Sequence, residues 1–319
     1  MSGYTRRDVL KVGAGVLGGA AFAGLAGGCE EGQMCKGKKW EGFKYSMCNE
    51  SMKELSWERQ CEIIGSAGYT GVEIAPFTLV EQGVEEISAE KRAEMVKVMK
   101  DAGIECVGLH WLLSPPPKGL HFTTADKQVR ARTVGYLDSL IDFCGDMGGE
   151  VMIFGSPNQR SAKGMPVSEA NKNFADGLAK VADHAKSRGV MILLEPLDKS
   201  QTDVVNTTAE AMEIVRAINH PNIKTMFDFH NTVDESLGFS DLIRKYYAHI
   251  YHVHVMEMDG RHLGTGTAVN DYVPAFKTLR ELGYDRWVSL EVFDFTPGGE
   301  RIANESMKVL KEIERKVRG

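Results

Sequence analysis

The sequence predicts an α/β protein built as a single (β/α)8 TIM barrel preceded by an export signal. Three observations carry the barrel. Short apolar runs alternate with longer amphipathic ones from residue 43 to the end of the chain. The pair recurs eight times, about every 25 to 40 residues, an order that sets a parallel sheet and closes it. No Gly-x-Gly-x-x-Gly turn follows the first run, so the nucleotide site of an open, doubly wound sheet is missing.

In chain order the strand segments are FKYSMC, TGVEIA, ECVGLHW, EVMIFGS, VMILLEP, NIKTMFDF, HIYHVHVM and RWVSLEVF. The fifth is apolar from Val190 to Leu194 with no polar alternation, as in a strand covered on both faces. Glu195 follows at once, and Pro196, which has no N–H for a ladder, ends it. Between strands lie helical patterns such as SWERQCEIIGSAG, AEKRAEMVKVMKDAG and VPAFKTLRELG, several closing on glycine as a helix C-terminus should. Asn206, Thr207 and Thr208 offer a cap ahead of AEAMEIVRAI. FGSPNQR, after the fourth strand, reads as a turn offering Arg160 to a ligand. LLSPPPKGLHF, residues 112–122, reads as a proline-rich loop over the barrel mouth.

Residues 1–29 stand apart from this pattern. Arg6 and Arg7 precede a weakly apolar stretch of 17 residues, seven of them glycine, too poor in helix formers to span a membrane. A paired arginine before such a stretch is the pattern of a twin-arginine export signal, and LAGGC marks Cys29 as a lipidation candidate. Residues 30–42 form a polar linker, and 43–319 the barrel. The expected location is periplasmic or lipid-anchored at the cell envelope, with membrane contact only through the signal or the lipid. The net charge of −6, with no polybasic run, argues against nucleic acid as a partner. Six cysteines at irregular spacing give neither a zinc ribbon nor a disulfide framework, and Cys61, Cys106 and Cys144 fall on core positions.

In a barrel of this kind the C-terminal ends of the strands converge on one mouth, where chemistry sits. The fifth strand ends in Glu195, the sixth in Asp228 and His230, the eighth in Glu291. The seventh carries His252 and His254, with Glu257 and Arg261 beyond. A lone strand-end carboxylate is ordinarily a solvated cap, but four consecutive strands deliver an acid or an imidazole to the same rim. Glu195, Asp228, His254 and Glu291 make an oxygen-rich set with one nitrogen. One divalent ion is expected there: Mn²⁺ first, with Mg²⁺, Co²⁺ or Zn²⁺ as alternatives.

With LLEPL, MFDFH, HVHV and VSLEVF in place, residues 43–317 resemble the xylose-isomerase-like TIM-barrel superfamily, and within it the sugar phosphate isomerase/epimerase group that includes ketose 3-epimerases. The resemblance implies Glu195 and Glu291 as metal ligands that also act as acid and base. It implies Asp228 and His254 as the remaining ligands, and His230 and Arg261 as substrate contacts. Three departures stand out. His230 lies two residues after Asp228 where the group commonly has three, Arg261 lies one residue further from His254, and LDKSQT puts Gln201 where a glutamate would touch substrate. His110, Glu73 and Arg160 complete the expected substrate contacts, Glu73 alternatively orienting another group.

Two carboxylates across one metal suit proton transfer next to a carbonyl, through an enediolate held at the metal. The expected activity is a metal-dependent isomerase or epimerase of a free sugar or sugar derivative, a small-molecule carbohydrate. A 3-keto-glycoside lyase or hydratase on the same site and a non-catalytic carbohydrate-binding barrel are the alternatives. A homodimer or tetramer is expected.

Overall fold

The computed structural model describes residues 40–319. The export signal, Cys29 and the linker as far as residue 39 lie outside the described residues. Eight strands form one closed parallel barrel: β1 (Lys44–Cys48), β2 (Gly71–Ile74), β3 (Glu105–Leu109), β4 (Val151–Phe154), β5 (Met191–Leu194), β6 (Ile223–Asp228), β7 (Ile250–Val255) and β8 (Trp287–Leu290). Each pairs with the next, and β8 returns to β1 with Lys44 opposite Trp287.

The helices are α1 (Trp57–Ala67), α2 (Ala89–Asp101), α3 (Lys127–Met147), α4 (Pro157–Arg160), α5 (Val167–Ser187), α6 (Thr208–Ile218), α7 (Phe239–Tyr246), α8 (Ala268–Asp271), α9 (Val273–Glu281) and α10 (Gly299–Arg318). Local chemistry explains their ends. Ser56, Ser88 and Asp126 accept from the first-turn N–H groups of α1, α2 and α3, and Thr207 does so for α6. Gly68 and Gly148 close α1 and α3 in the left-handed conformation. Asn206 is not the cap. Its amide instead ties Leu197 O and Thr202 O, bracing the loop after β5. The one-turn helices α4 and α8 exceed the eight expected, and α4 replaces the turn read in FGSPNQR.

The barrel interior is filled in layers. Val107, Val151, Ile153, Leu193, Met226 and Trp287 form an apolar cluster. A second, polar set, Ser46, Glu73, His252 and Ser289, is fully buried. Register fixes what meets what: Asp228 stands opposite His254, and His254 opposite Ser289. Cys48, Cys61, Cys106 and Cys144 are free and buried. No helix among the described residues is long and apolar enough to cross a membrane.

Close packing of β3 on β4 depends on Gly108, where an added Cβ would sit 1.9 Å from Val151 O. Backbone cannot give way as a flexible side chain can. Gly108→Ala should therefore destabilise the fold by about 3 kcal/mol, read as a lower urea midpoint at unchanged slope. An unshifted midpoint would contradict this packing.

Candidate active site

Glu195 and Glu291 are the first residues beyond β5 and β8, and each continues its ladder by one bond, Glu195 N to Phe154 O and Glu291 N to Val255 O, both 3.3 Å. Their side chains turn inward to meet Asp228 of β6 and His254 of β7. Ligand atoms of Glu195, Asp228, His254 and Glu291 all lie within 4.8 Å of one another, and all four residues are buried. Ligands on opposite sides of an octahedral ion at about 2.1 Å stand about 4.2 Å apart, so the spacing suits one cation. His254 Nδ1 lies 3.0 Å from Glu291 Oε2 and 3.9 Å from Glu195 Oε1, yet neither Nδ1 nor that Glu291 oxygen has a hydrogen-bond partner. Two buried, unpartnered polar atoms facing each other among three carboxylates fit a bound divalent ion, which would satisfy both.

A second set of side chains orients the first. His254 Nε2 donates to Glu73 Oε1 at 2.9 Å, and a carboxylate that only accepts fixes the proton on that nitrogen. Nδ1 is thereby the atom offered to the cluster. The other Glu73 oxygen takes Ser289 Oγ and His252 Nε2, each at 2.7 Å. Asn231 bridges two of the acids, donating to Asp228 Oδ2 at 2.7 Å and Glu195 Oε1 at 3.1 Å. Trp111 Nε1 donates to Glu291 Oε1 at 2.9 Å from a backbone held at φ +50°, a left-handed conformation unusual for so large a residue. Gly155 makes room for Glu195, whose Oε2 would lie 2.3 Å from any Cβ there.

These surroundings drive the two glutamates apart. Burial, and then the charge of Glu291, push Glu195 well above the ordinary carboxyl range. Glu291 is equally buried, but the opposite charges of His254 and His110 outweigh that cost and hold it below the ordinary value. Burial raises Asp228 to about 6. Burial alone would lower His254, but Glu73 and Glu291 overcome it and raise the ring well above a normal histidine.

The remaining expected contacts separate into two groups. Gln201 borders the narrow hollow that opens on Glu195 and Glu291. Its amide bonds Asn231 Oδ1 at 2.6 Å. His230 is half-buried at the mouth, its Nδ1 3.0 Å from Met258 O. Three expectations need correction. Arg160 is fully buried and spends its guanidinium on the carbonyls of Phe154, Glu195 and Val205 at 2.6 to 3.1 Å, so it braces strand ends and does not meet a ligand. Glu73 is fully buried beneath His254 and orients its ring, in keeping with the alternative reading of that residue. His110 is buried on Glu50 Oε2 at 2.8 Å. Arg261 is exposed, paired with Asp259 at 2.7 Å, and lies outside the lining of the hollow. Glu257 caps the loop after β7 through Gly264 N and Ala268 N. Asn231, Trp111, Gly155 and Glu50 were not anticipated. The one sequence signal for Asn231 was its place three residues past Asp228, within reach of the same carboxylate.

The chain is thus a closed eight-stranded barrel with a buried acid–imidazole cluster at its C-terminal rim. The family model for the xylose isomerase-like TIM barrel matches residues 61–313, and the chain belongs to that family. It is 25% identical over 222 residues to a probable ketose 3-epimerase of Synechocystis sp., covering 61% of this chain and 74% of that one. It is 31% identical over 172 residues to the ketose 3-epimerase of Arthrobacter globiformis, covering 53% of this chain and 56% of the relative. The solved structure of a 3-keto-D-glucoside 4-epimerase from E. coli shares the fold, with a TM-score of 0.72, 17% identity, and coverage of 84% and 99%.

Cation binding here competes with protons at Glu195, Asp228 and His254 Nδ1, all three raised above their ordinary values, so it should weaken as the medium supplies them. Apparent Mn²⁺ affinity, measured by calorimetry, should fall as pH drops through about 6, where Asp228 protonates. Affinity unchanged from pH 8 to 5 would contradict the site.

Proposed function

We propose that this protein is a divalent-metal-dependent epimerase or isomerase of a sugar or sugar derivative, with Glu195 and Glu291 exchanging the proton beside a carbonyl. The observation that carries this reading is the glutamate pair itself. Two carboxyl groups border one hollow, and their surroundings differ: burial and the charge of Glu291 raise Glu195 above the ordinary carboxyl range, while His254 and His110 hold Glu291 below it. Two carboxyl groups held in unlike surroundings are what one site needs to supply both an acid and a base. The sugar epimerases among its relatives support it.

A divalent ion held by Glu195, Asp228, His254 and Glu291, Mn²⁺ first among the candidates, would act as a Lewis acid on the substrate carbonyl and its neighbouring hydroxyl. The protein supplies the rest. In one direction Glu291 takes the proton from carbon and Glu195 returns one to the opposite face; in reverse the roles exchange. Trp111 keeps Glu291 turned toward the hollow, and Asn231 does the same for Glu195. Loops after β3, β4, β5 and β8 border the hollow in which the reacting carbon would sit. Arg6 and Arg7 support a place outside the cytoplasm, where free sugars and glycosides are commoner than phosphate esters.

The test is proton NMR in D₂O with Mn²⁺-loaded protein and free ketoses, or separately a 3-keto-glucoside. Deuterium should enter carbon next to the carbonyl while the epimer or isomer accumulates. Glu195→Gln and Glu291→Gln should each lower kcat/KM by about 10²-fold or more, with metal content measured alongside. Release of the aglycone with an unsaturated keto sugar would replace epimerisation by elimination on the same pair. No exchange in any of these with metal bound would refute the reading.

A further inference from the structure

A chain of hydrogen bonds runs from the loop after β5 to two of the clustered acids, and its direction is fixed at both ends. At the inner end Asn231 Nδ2 spends both hydrogens on carboxylates, Asp228 Oδ2 at 2.7 Å and Glu195 Oε1 at 3.1 Å. Its Oδ1 is left as an acceptor and takes Gln201 Nε2 at 2.6 Å. Gln201 gives its other amide hydrogen to Asp198 Oδ2 at 2.5 Å. The second oxygen of Asp198, Oδ1, accepts from Ser200 N at 2.8 Å and from Ser200 Oγ.

Every hydrogen of both amides is therefore committed, and reversing either amide sets donor against donor or carbonyl against carboxylate. Asp198 decides the direction from the outer end because it can only accept. Burial would raise its carboxyl, but the bonds from Gln201 and Ser200 hold it below the ordinary value, so it stays ionised. An amide of the same shape would break the sequence of donors. In Asp198→Asn the Ser200 N–H keeps Oδ1 as its acceptor, so the new NH2 faces Gln201 Nε2, donor to donor. If Gln201 turns its amide over, its carbonyl meets Asn231 Oδ1. If Asn231 turns as well, its own carbonyl meets Asp228 and Glu195. No arrangement satisfies all three, and the conflict arrives at the acids.

We propose that Asp198, which lies outside the lining of the hollow, is a positioning residue for the metal centre. It sets the polarity of the Gln201 and Asn231 amides, so that Asn231 keeps Asp228 and Glu195 converged with His254 and Glu291. This rests on the metal site of the reading above, but it is read on metal affinity, without turnover.

The test is calorimetric titration of the wild type and four variants with Mn²⁺, with circular dichroism recorded for each. Asp198→Asn should weaken binding about tenfold, as disturbing an outer partner of a metal ligand does. Ser200→Ala takes a bond from the same carboxylate without reversing any donor, and should bind as the wild type does. Asn231→Ala should also weaken binding, and adding Asp198→Asn to it should cost nothing further, because the chain is already cut. A loop that is merely loosened would instead give additive losses. Unchanged affinity in Asp198→Asn, an equal loss in Ser200→Ala, or additive losses in the double variant would each overturn the proposal while leaving the metal site in place. A wild type that binds no Mn²⁺ would sink the metal site and the proposal together.

Discussion

The site depends on one buried carboxylate, that of Glu73. A charge with no solvent exposure is tolerated only when its lone pairs are met by good donors, and Glu73 is met by His254, His252 and Ser289, with His110 Nδ1 a further 3.5 Å away. The consequences run upward. Its hold on Nε2 settles which nitrogen of His254 faces the cluster, and with that the only nitrogen donor among the four converging groups. Its charge also raises His254, which in turn lowers Glu291. The charge of Glu73 itself pushes Glu291 the other way, and His254 outweighs it.

The second constraint is mechanical. Glu195 and Glu291 lie just past their strands, where backbone bonds thin out and a side chain could swing. Arg160 answers this for Glu195 by clamping its carbonyl together with those of Phe154 and Val205, the latter on a backbone at φ +60°. Taking a guanidinium wholly out of water is expensive, and burial lowers it to about 10. Three carbonyl acceptors offset that cost, and the return is a fixed β4–β5 rim. Asn231 and Trp111 then fix the carboxylates themselves. Trp111 accepts a strained backbone to do so, the kind of local cost that persists where surrounding structure demands it.

Much of this was legible in the sequence because strand order and period 2 are global signals. Eight apolar runs gave the barrel, and each strand end named its rim residue, so Glu195, Asp228, His254 and Glu291 could be placed together before any coordinates. His252 and His254 sharing a face followed from the same period. What could not be read were side-chain directions in loops. Arg160 sits in a segment that folds as one helical turn and sends its guanidinium inward, whereas a turn would have left it at the surface. Arg261 was discounted by a neighbour visible all along, Asp259 two residues before it. Trp111 owes its place to a left-handed residue, and nothing in LHW marks one.

The central claim is that Glu195, Asp228, His254 and Glu291 hold one metal ion through a single imidazole nitrogen set by Glu73. Pulsed electron paramagnetic resonance of the Mn²⁺-loaded protein tests it directly, because coordinated nitrogen modulates the manganese echo. The account predicts coupling from one histidine nitrogen, lost in His254→Ala and retained in His252→Ala. No nitrogen coupling, or two nitrogens with His110 or His252 taking part, would contradict it.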